Sequence, residues 1–240
     1  MLQWQSVTIS DAGKIRQVNE DSLYANDAEM IWAVADGMGG HERGDYASQR
    51  VVEHLGRYEN SRRTGVTMRQ IELLLSDANK DLVNKAKEVD ANVIASTAAV
   101  LCARSDSLIC SWVGDSRIYR FRNGSLLRLT RDHTYETLLQ DMSDRGADTS
   151  KILVDSQALT RGVGAENTLN TEQARYTSIT GDRYLLCTDG LYKEIDEHQI
   201  EQYFAQLPND KELLDQLHET YLTNGARDNL GMVVVSVSSG

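Results

Sequence analysis

Proline is almost absent from this 240-residue sequence, in which Pro208 is the only one. No stretch rich in proline and serine divides the chain, and this favours one domain over residues 1–240. Apolar runs are short, since none approaches the ~20 residues of a membrane-spanning helix. Residues 1–5 also lack the basic and apolar regions of a secretory signal peptide. We therefore expect a cytoplasmic protein that does not insert into a membrane.

Histidine and cysteine are too few and too scattered for several kinds of catalytic site. No two of the five histidines lie three to five positions apart, which argues against paired-histidine zinc ligands on one helix. No cysteine is followed six positions later by arginine, the pattern that a cysteine-dependent phosphatase needs. Because each cysteine lies in an apolar run and three cannot all pair, we expect buried free thiols at Cys102, Cys110 and Cys187.

Positive charge is in deficit, with 25 lysines and arginines against 36 aspartates and glutamates, a net charge of −11. Such an acidic surface repels nucleic acid and anionic membranes, so neither is expected as a partner. The only Gly-Lys pair, at Gly13, does not belong to a phosphate-binding loop, and no serine lies in G-x-S-x-G. Any metal bound here is most simply a hard ion with oxygen ligands.

Hydrophobic patterning predicts antiparallel sheets covered by helices. Apolar or alternating runs predict strands at 30–35, 97–103, 108–113, 116–122, 125–129, 184–187 and 232–237. Apolar positions three and four residues apart predict helices at 46–58, 68–82, 197–207 and 211–222. Two of these helices separate the first two strands, whereas short turns join the strands that follow. The pattern is therefore not the strict strand–helix alternation of a parallel sheet, and an α+β fold is expected.

Aspartate recurs where a predicted hydrophobic strand begins or ends. The aspartates in this position are Asp36, Asp115, Asp189 and Asp228. Taken singly, each is explained as a turn residue, because Asp-Gly and Asp-Asn favour turns. Strand ends meet in space, however, and several carboxylates at one edge repel each other unless cations lie between them. The pattern predicts an acidic site for a hard metal ion and does not specify the reaction.

Seven short motifs follow one another between residues 13 and 229. They are GKIRQVNEDS at 13–22, VADGMGGH at 34–41, GDSR at 114–117, LTRDHT at 129–134, LTRGVG at 159–164, CTDGL at 187–191 and ARDN at 226–229. In this order they resemble the signature of bacterial metal-dependent serine/threonine protein phosphatases of the type 2C (PPM) family. Met38 stands where animal members have histidine, which is typical of the bacterial form.

The resemblance implies a four-layer α-β-β-α sandwich, with two antiparallel sheets, helices outside and Mn²⁺ or Mg²⁺ at one edge. Two ions are implied, and a third is known from bacterial relatives. Asp36 would bridge two ions and the backbone carbonyl of Gly37 would bind one. Asp189 and Asp228 would hold the first ion, and Asp115 together with Asp189 would hold the third.

The remaining site residues are likewise implied by the resemblance. Glu20 and Asp21 would act on the second ion mainly through water, and Asn229 would support the metal ligands from outside. Arg16 would grip the substrate phosphate. Without the motif, Arg16 would be interpreted as a surface arginine paired with Glu20 one helical turn away.

Three further expectations concern the surroundings of the site. His41 is a candidate acid for the leaving serine oxygen, but we favour a water molecule on the ion at Asp115, because two glycines leave the histidine poorly positioned. The segment 141–155 is expected to be a flap beside the site or a plain surface loop. Asp132 is expected to cap a helix.

The resemblance implies hydrolysis of phosphoserine and phosphothreonine in proteins by a metal-activated water, reversing a bacterial eukaryotic-like Ser/Thr kinase. Phosphorylated proteins and the pathway of that kinase are the implied partners. Two alternatives stay open. One is an inactive regulatory module on the same fold, and the other is a hydrolase of small phosphate esters.

Overall fold

The computed structural model describes residues 2–39, 43–60, 64–104, 107–149 and 152–240. The strands in this part of the chain are β1 Leu2–Asp11, β2 Asp21–Asn26, β3 Ile31–Gly39, β4 Ile94–Ser96, β5 Ala98–Arg104, β6 Ser107–Val113, β7 Arg117–Arg122, β8 Ser125–Arg128, β9 Glu172–Thr177, β10 Arg183–Cys187 and β11 Leu230–Ser239. The helices are α1 Gly44–Leu55, α2 Thr64–Glu88, α3 Tyr135–Asp144, α4 Asp189–Tyr192, α5 Glu197–Gln206 and α6 Asp210–Asn224.

The strands form two sheets in which every pair of neighbours is antiparallel. The first sheet has the order β1-β11-β10-β7-β8. The second has the order β2-β3-β5-β6-β9, and β4 pairs with the far end of β3. The antiparallel arrangement predicted from the patterning is confirmed, and the Asn123-Gly124 turn joins β7 to β8 as a hairpin with φ values of 53° and 83°.

Side-chain alternation along the strands gives each sheet two buried faces. Along β3, Trp32 and Val34 pack between the two sheets, whereas Ile31 and Ala33 face the helices α1 and α2. This follows from the two-residue period of a strand. The same alternation along β11 sends successive residues to the core between the sheets and to the core beneath α5 and α6.

The helices cover the two outer faces. On α2 the fully buried residues Ile71, Leu75, Ala78 and Leu82 repeat every three or four positions and pack on the second sheet. The helices α4, α5 and α6 pack on the first sheet. The resulting order of layers is helix, sheet, sheet, helix, so the expected α-β-β-α sandwich is confirmed. Among the described helices none is long and apolar enough to cross a membrane.

Each of the three buried cores contains one cysteine. Cys102 lies beneath α1 and α2, Cys110 lies between the sheets, and Cys187 lies beneath α5 and α6. All three are unpaired and buried, as the sequence predicts. Burial raises the pKa of each thiol far above its ordinary value, which makes the thiolate form rare in the folded protein.

Two local expectations are corrected by the structure. The segment 141–155 is not a loop throughout, because its first four residues complete α3. Asp132 does not cap that helix. Thr134 is the N-cap, and its Oγ1 accepts a hydrogen bond of 3.3 Å from the backbone N–H of Thr137. Asp132 accepts hydrogen bonds from Arg117 instead, at 2.7–3.2 Å.

Candidate metal centre

A cavity of about 290 Å³ lies where strand ends from both sheets meet. Most of the site residues expected from the sequence line this cavity. They are Arg16, Glu20, Asp36, Gly37, Asp115, Asp189, Asp228 and Asn229. Asp21 lies in the wall behind it, where it is buried and pairs across the strands β2 and β3 with Asp36. His41 falls outside the residues that the structure describes.

Both polar groups of the Asp36 backbone are hydrogen-bonded to the end of β4 and the residue after it. Its N–H donates to Thr97 Oγ1 at 2.9 Å, and its carbonyl accepts from the Thr97 N–H at 2.8 Å and from Ser96 Oγ at 3.0 Å. Thr97 Oγ1 lies 2.6 Å from Ser116 Oγ, which follows Asp115. The two aspartates are therefore linked by a chain of hydroxyl groups that the sequence motifs do not reveal.

Gly37 lies where only glycine fits. A Cβ at this position would lie 1.8 Å from the carbonyl oxygen of Gly44 in the first turn of α1. Glu20 joins the same two elements, because its carbonyl accepts from the Gly37 N–H at 3.1 Å and its carboxylate accepts from the Gly44 N–H at 3.0 Å. The start of α1 thus packs directly against the end of β3, beside the cavity that Gly37 lines.

The first sheet supplies Asp189 and Asp228. Asp189 begins α4 immediately after β10, and Asp228 lies just before β11. These two segments touch at Gly190, where a Cβ would lie 1.9 Å from the carbonyl oxygen of Asn229. The neighbouring strands β10 and β11 therefore bring together two carboxylates that are 39 positions apart in the sequence.

Both of these carboxylates are paired with side-chain cations. Arg16 Nη2 lies 2.9 Å from Asp228 Oδ1, and Lys193 Nζ pairs with Asp189 Oδ2. The alternative pairing of Arg16 with Glu20, considered from the sequence, is not the ion pair observed. Lys193 was not predicted as a site residue, although its position four residues after Asp189 on a helical turn is the signal that would have found it.

Asp115 lies in the turn between β6 and β7. Its carboxylate and its backbone carbonyl accept from the Tyr192 hydroxyl at 3.1 and 3.0 Å. The preceding Gly114 has a φ of +95°, and its N–H donates to His133 Nδ1 at 3.1 Å. The Tyr192 ring in turn packs against Arg117, whose Cζ lies 3.4 Å from the ring centroid. Tyr192 and His133 are thus further residues of the site that sequence reasoning missed.

Burial and mutual repulsion raise the pKa of several carboxyl groups at the cavity. Burial, followed by repulsion from Asp21 and Asp189, raises the pKa of Asp36 well above its ordinary value. Burial raises the pKa of Asp21 to about 8 against the hydrogen bond donated by Thr188. Burial and the charge of Asp189 raise the pKa of Asp115 to about 6. Each shift means that the site favours positive charge near these oxygens.

The donor set fits hard divalent cations. Its side-chain ligands are carboxylates, backbone carbonyls are within reach, and the two paired cations Arg16 and Lys193 already compensate part of the negative charge. Within the described residues, no three acidic, histidine or cysteine side chains are drawn together as around a bound ion. A metal ion at Asp228 would release Arg16, and an ion at Asp189 would bind beside the ammonium group of Lys193.

Comparisons with known proteins give the same picture. The family model described as Protein phosphatase 2C matches residues 14–230. The serine/threonine protein phosphatase PstP of Mycobacterium tuberculosis is 33% identical over 237 residues, which are 95% of this chain and 44% of that protein. The chain therefore spans less than half the length of this relative.

Two similar solved structures cover 98% and 100% of the chain. PppA, a key regulatory component of T6SS in Pseudomonas aeruginosa, has a TM-score of 0.89 at 31% identity over 98% of both chains. The catalytic domain of the serine threonine protein phosphatase PstP, in complex with 2 manganese ions, has a TM-score of 0.87 at 29% identity over 100% of both chains. With its motifs, fold and family match in agreement, the chain belongs to the protein phosphatase 2C family.

Proposed function

We propose that this chain hydrolyses phosphoserine and phosphothreonine in proteins with the help of Mn²⁺ or Mg²⁺. The observation that carries the proposal is the meeting of carboxylates from both sheets in one cavity, with an arginine beside them. Membership of the family and the manganese complex of the PstP catalytic domain support the metal and the reaction.

The lining of the cavity supports a specific set of ligands. Asp36 is proposed to bridge two ions, the Gly37 carbonyl to bind one of them, and Asp189 and Asp228 to hold the first. Bound there, the ions supply positive charge for the phosphoryl oxygens and activation of the attacking water. The hydrogen bonds of Thr97 to the Asp36 backbone fix the point on β3 from which the carboxylate reaches the cavity.

Arg16 is proposed to bind the phosphate group of the substrate. Its side chain is 49% exposed and contacts Asp228 at the wall of the cavity. With a metal ion at Asp228, the planar guanidinium would be free to offer two parallel N–H groups to phosphate oxygens. Asn229 supports this role by holding the loop that carries Arg16.

Glu20 and Asp21 are proposed to act on the second ion mainly through water. Burial raises the pKa of both carboxyl groups, which supports a cation nearby. Asp115 together with Asp189 is the proposed place of a further positive charge. No acid for the leaving serine oxygen is assigned among the described residues.

The two rival functions differ in what they require of the cavity. An inactive regulatory module is less well supported, because Asp36, Asp189 and Asp228 are all present. A hydrolase of small phosphate esters would use the same residues and would differ only in its substrates. Substrate choice is therefore part of the experiment.

Phosphorylated proteins are the proposed partners, together with the pathway of a bacterial eukaryotic-like Ser/Thr kinase whose products the chain would dephosphorylate. The names of the relatives support this class of substrate. We also propose one catalytic domain over residues 1–240, since the cavity draws residues from position 16 to position 229. A cytoplasmic location is proposed as well, and the three free thiols support it.

The experiment measures phosphate release from a phosphothreonine peptide, a nucleoside monophosphate and a sugar phosphate, each with Mn²⁺ and with chelator. We expect the peptide to be the preferred substrate and the chelator to abolish turnover. Asp36→Asn should lose roughly a thousandfold in turnover while keeping its circular dichroism spectrum, because several kcal/mol of charge stabilisation disappear. The matched variant Asp215→Asn removes an exposed carboxylate on α6 and should behave as wild type. Undiminished turnover in chelator would refute the metal-dependent reaction.

A further inference from the structure

Lys193 is the one lysine that lines the cavity within the described part of the chain. It follows α4 directly, and its N–H donates to the Asp189 carbonyl at 3.0 Å, which completes a helical turn. This turn brings the lysine side chain back over the residue four positions earlier. Its ammonium group accordingly pairs with the Asp189 carboxylate inside the cavity.

The same helical turn also faces Asp115. Tyr192 donates its hydroxyl hydrogen to Asp115, and both Asp115 and Lys193 line the cavity beside Asp189. The ammonium group that pairs with Asp189 thus lines the same cavity as Asp115, and both aspartates are buried.

We propose that the Lys193 ammonium is a built-in cation for the Asp115–Asp189 pair and takes the place that the family resemblance gives to a third metal ion. The inference rests on the proposed function, because it assumes that the other carboxylates bind two ions. It deepens that function by stating that this chain works with two divalent ions and one lysine.

The chemistry of ammonium groups and metal ions supports a lysine in place of the third ion. An ammonium group donates three hydrogen bonds and offers no lone pair, so it satisfies carboxylates but cannot join them as a metal ligand. A divalent ion at the same oxygens would have to displace a cation that is covalently attached and loses no translational freedom on binding. The ammonium group also pairs with Asp189 Oδ2, an oxygen that an ion at this pair would otherwise use.

A different role would give a different result. If Lys193 only competes with the first ion at Asp189, its removal would tighten the binding of an ion that the wild type already binds. The number of ions per chain would then stay the same. Counting the bound ions therefore separates a built-in third cation from a competitor, independently of turnover.

The experiment counts Mn²⁺ bound to the full chain by equilibrium dialysis and metal analysis, at ion concentrations up to the millimolar range. The variants are Lys193→Arg, which keeps the charge, Lys193→Met, which keeps only the length, and Lys193→Asp, which adds a carboxylate. Circular dichroism and melting curves verify that each variant is folded.

We expect two ions in the wild type and in Lys193→Arg, and three in Lys193→Asp and in Lys193→Met, with the third bound more weakly in Lys193→Met. Adding Asp115→Ala to Lys193→Asp should return the count to two. Three ions in the wild type, with the third lost in Asp115→Ala, would overturn the inference. A count of two ions in both Lys193→Met and Lys193→Asp would overturn it as well. Two bound ions without phosphatase turnover in the wild type would instead overturn the proposed function alone.

Discussion

Arg16 compensates a carboxylate in the structure and is proposed to bind phosphate in the working enzyme. Because both roles depend on the same guanidinium, its removal is expected to affect substrate binding more than folding. In Arg16→Ala, KM for a phosphopeptide and the inhibition constant of inorganic phosphate should each rise about tenfold to a hundredfold, since a charged hydrogen bond contributes ~1.5–3 kcal/mol. Steady-state kinetics with saturating Mn²⁺ measure both constants.

The control for Arg16 is Arg69→Ala on α2. This substitution also removes an arginine from an ion pair of 2.9 Å, but on an exposed surface outside the cavity lining. We expect its kinetic constants to equal those of the wild type. Equal constants for Arg16→Ala would show that Arg16 is a surface residue with no part in substrate binding.

His133 holds the turn that presents Asp115. Its Nδ1 accepts from the Gly114 N–H, so the other nitrogen carries the proton and lies 3.2 Å from Glu172 Oε1. Burial and the charge of Arg161 lower the pKa of this imidazole. The neutral ring is therefore the form that the fold requires.

A lowered folded-state pKa fixes the direction of the pH effect at His133. The contribution of the imidazole to stability is complete above its ordinary pKa of 6.5 and is lost as the pH falls through the lower folded-state value. In His133→Asn, the Oδ1 of the new side chain can replace Nδ1 as acceptor, so the turn should be preserved without this loss at low pH. His133→Leu should lower the free energy of unfolding by about 1–3 kcal/mol at neutral pH, because the Gly114 N–H is left unpaired. Denaturant unfolding from pH 7.5 to 5 tests this, and parallel curves for wild type and His133→Asn would contradict it.

The loop before β2 is held by the side chain of the residue that directly precedes β11. Asn229 Nδ2 donates to the carbonyls of Ala12 and Val18 at 2.9 and 3.0 Å, and its Oδ1 accepts from the Glu20 N–H at 2.9 Å. The loop contains Arg16. Asn229 therefore positions the proposed phosphate-binding residue through the backbone rather than by contact with substrate.

Removing this amide should loosen the loop. In Asn229→Ala we expect faster hydrogen exchange over residues 12–20 and faster tryptic cleavage after Lys14 and Arg16, together with a raised KM. The control is Asn209→Ala, which removes an asparagine that caps α6 by accepting from two backbone N–H groups and should cost ~1 kcal/mol of stability. Its loop should exchange and be cleaved at the wild-type rates, and an unchanged loop in Asn229→Ala would exclude the positioning role.

Elements with strong periodicity could be predicted from the sequence, and contacts that cross between elements could not. The apolar stripe from Met68 to Leu82 predicted α2. The helix itself covers Thr64–Glu88, because the polar turns at its ends carry no apolar signal. The helix α3 was not predicted, although Tyr135, Leu138 and Met142 recur at helical spacing. The polar, turn-rich residues from 141 onward favoured a loop instead. Lys193 and His133 act through spatial neighbours, and one sequence without its fold does not reveal such neighbours.

The cavity joins the two sheets. Asp36 lies on β3 of the second sheet, and Asp115 lies in the turn that leads from β6 of the second sheet to β7 of the first. Asp189 and Asp228 lie beside β10 and β11 of the first sheet. Ions bound between them would attach one sheet to the other at this edge. The metal is thus expected to stabilise the sandwich as a whole in addition to any part in catalysis.

Raising Mn²⁺ should therefore raise the melting temperature. A hundredfold excess over the dissociation constant adds ~2.7 kcal/mol, which corresponds to roughly 5–10 °C for a chain of this size. The rise should be largely lost in Asp36→Asn and kept in Asp215→Asn. A melting temperature that does not change with Mn²⁺, as measured by scanning calorimetry, would argue against a shared ion between the sheets.

The distribution of the three thiols gives the molecule its own reporters of unfolding. Cys102, Cys110 and Cys187 lie in three different cores, one under each helical layer and one between the sheets. A thiol reagent can modify each cysteine only when the layer around it opens. Peptide mapping of the labelled chain therefore measures the rate at which each layer opens. If the sandwich unfolds as one cooperative unit, all three thiols should be labelled at one rate. If α5 and α6 detach first, Cys187 should be labelled ahead of the other two.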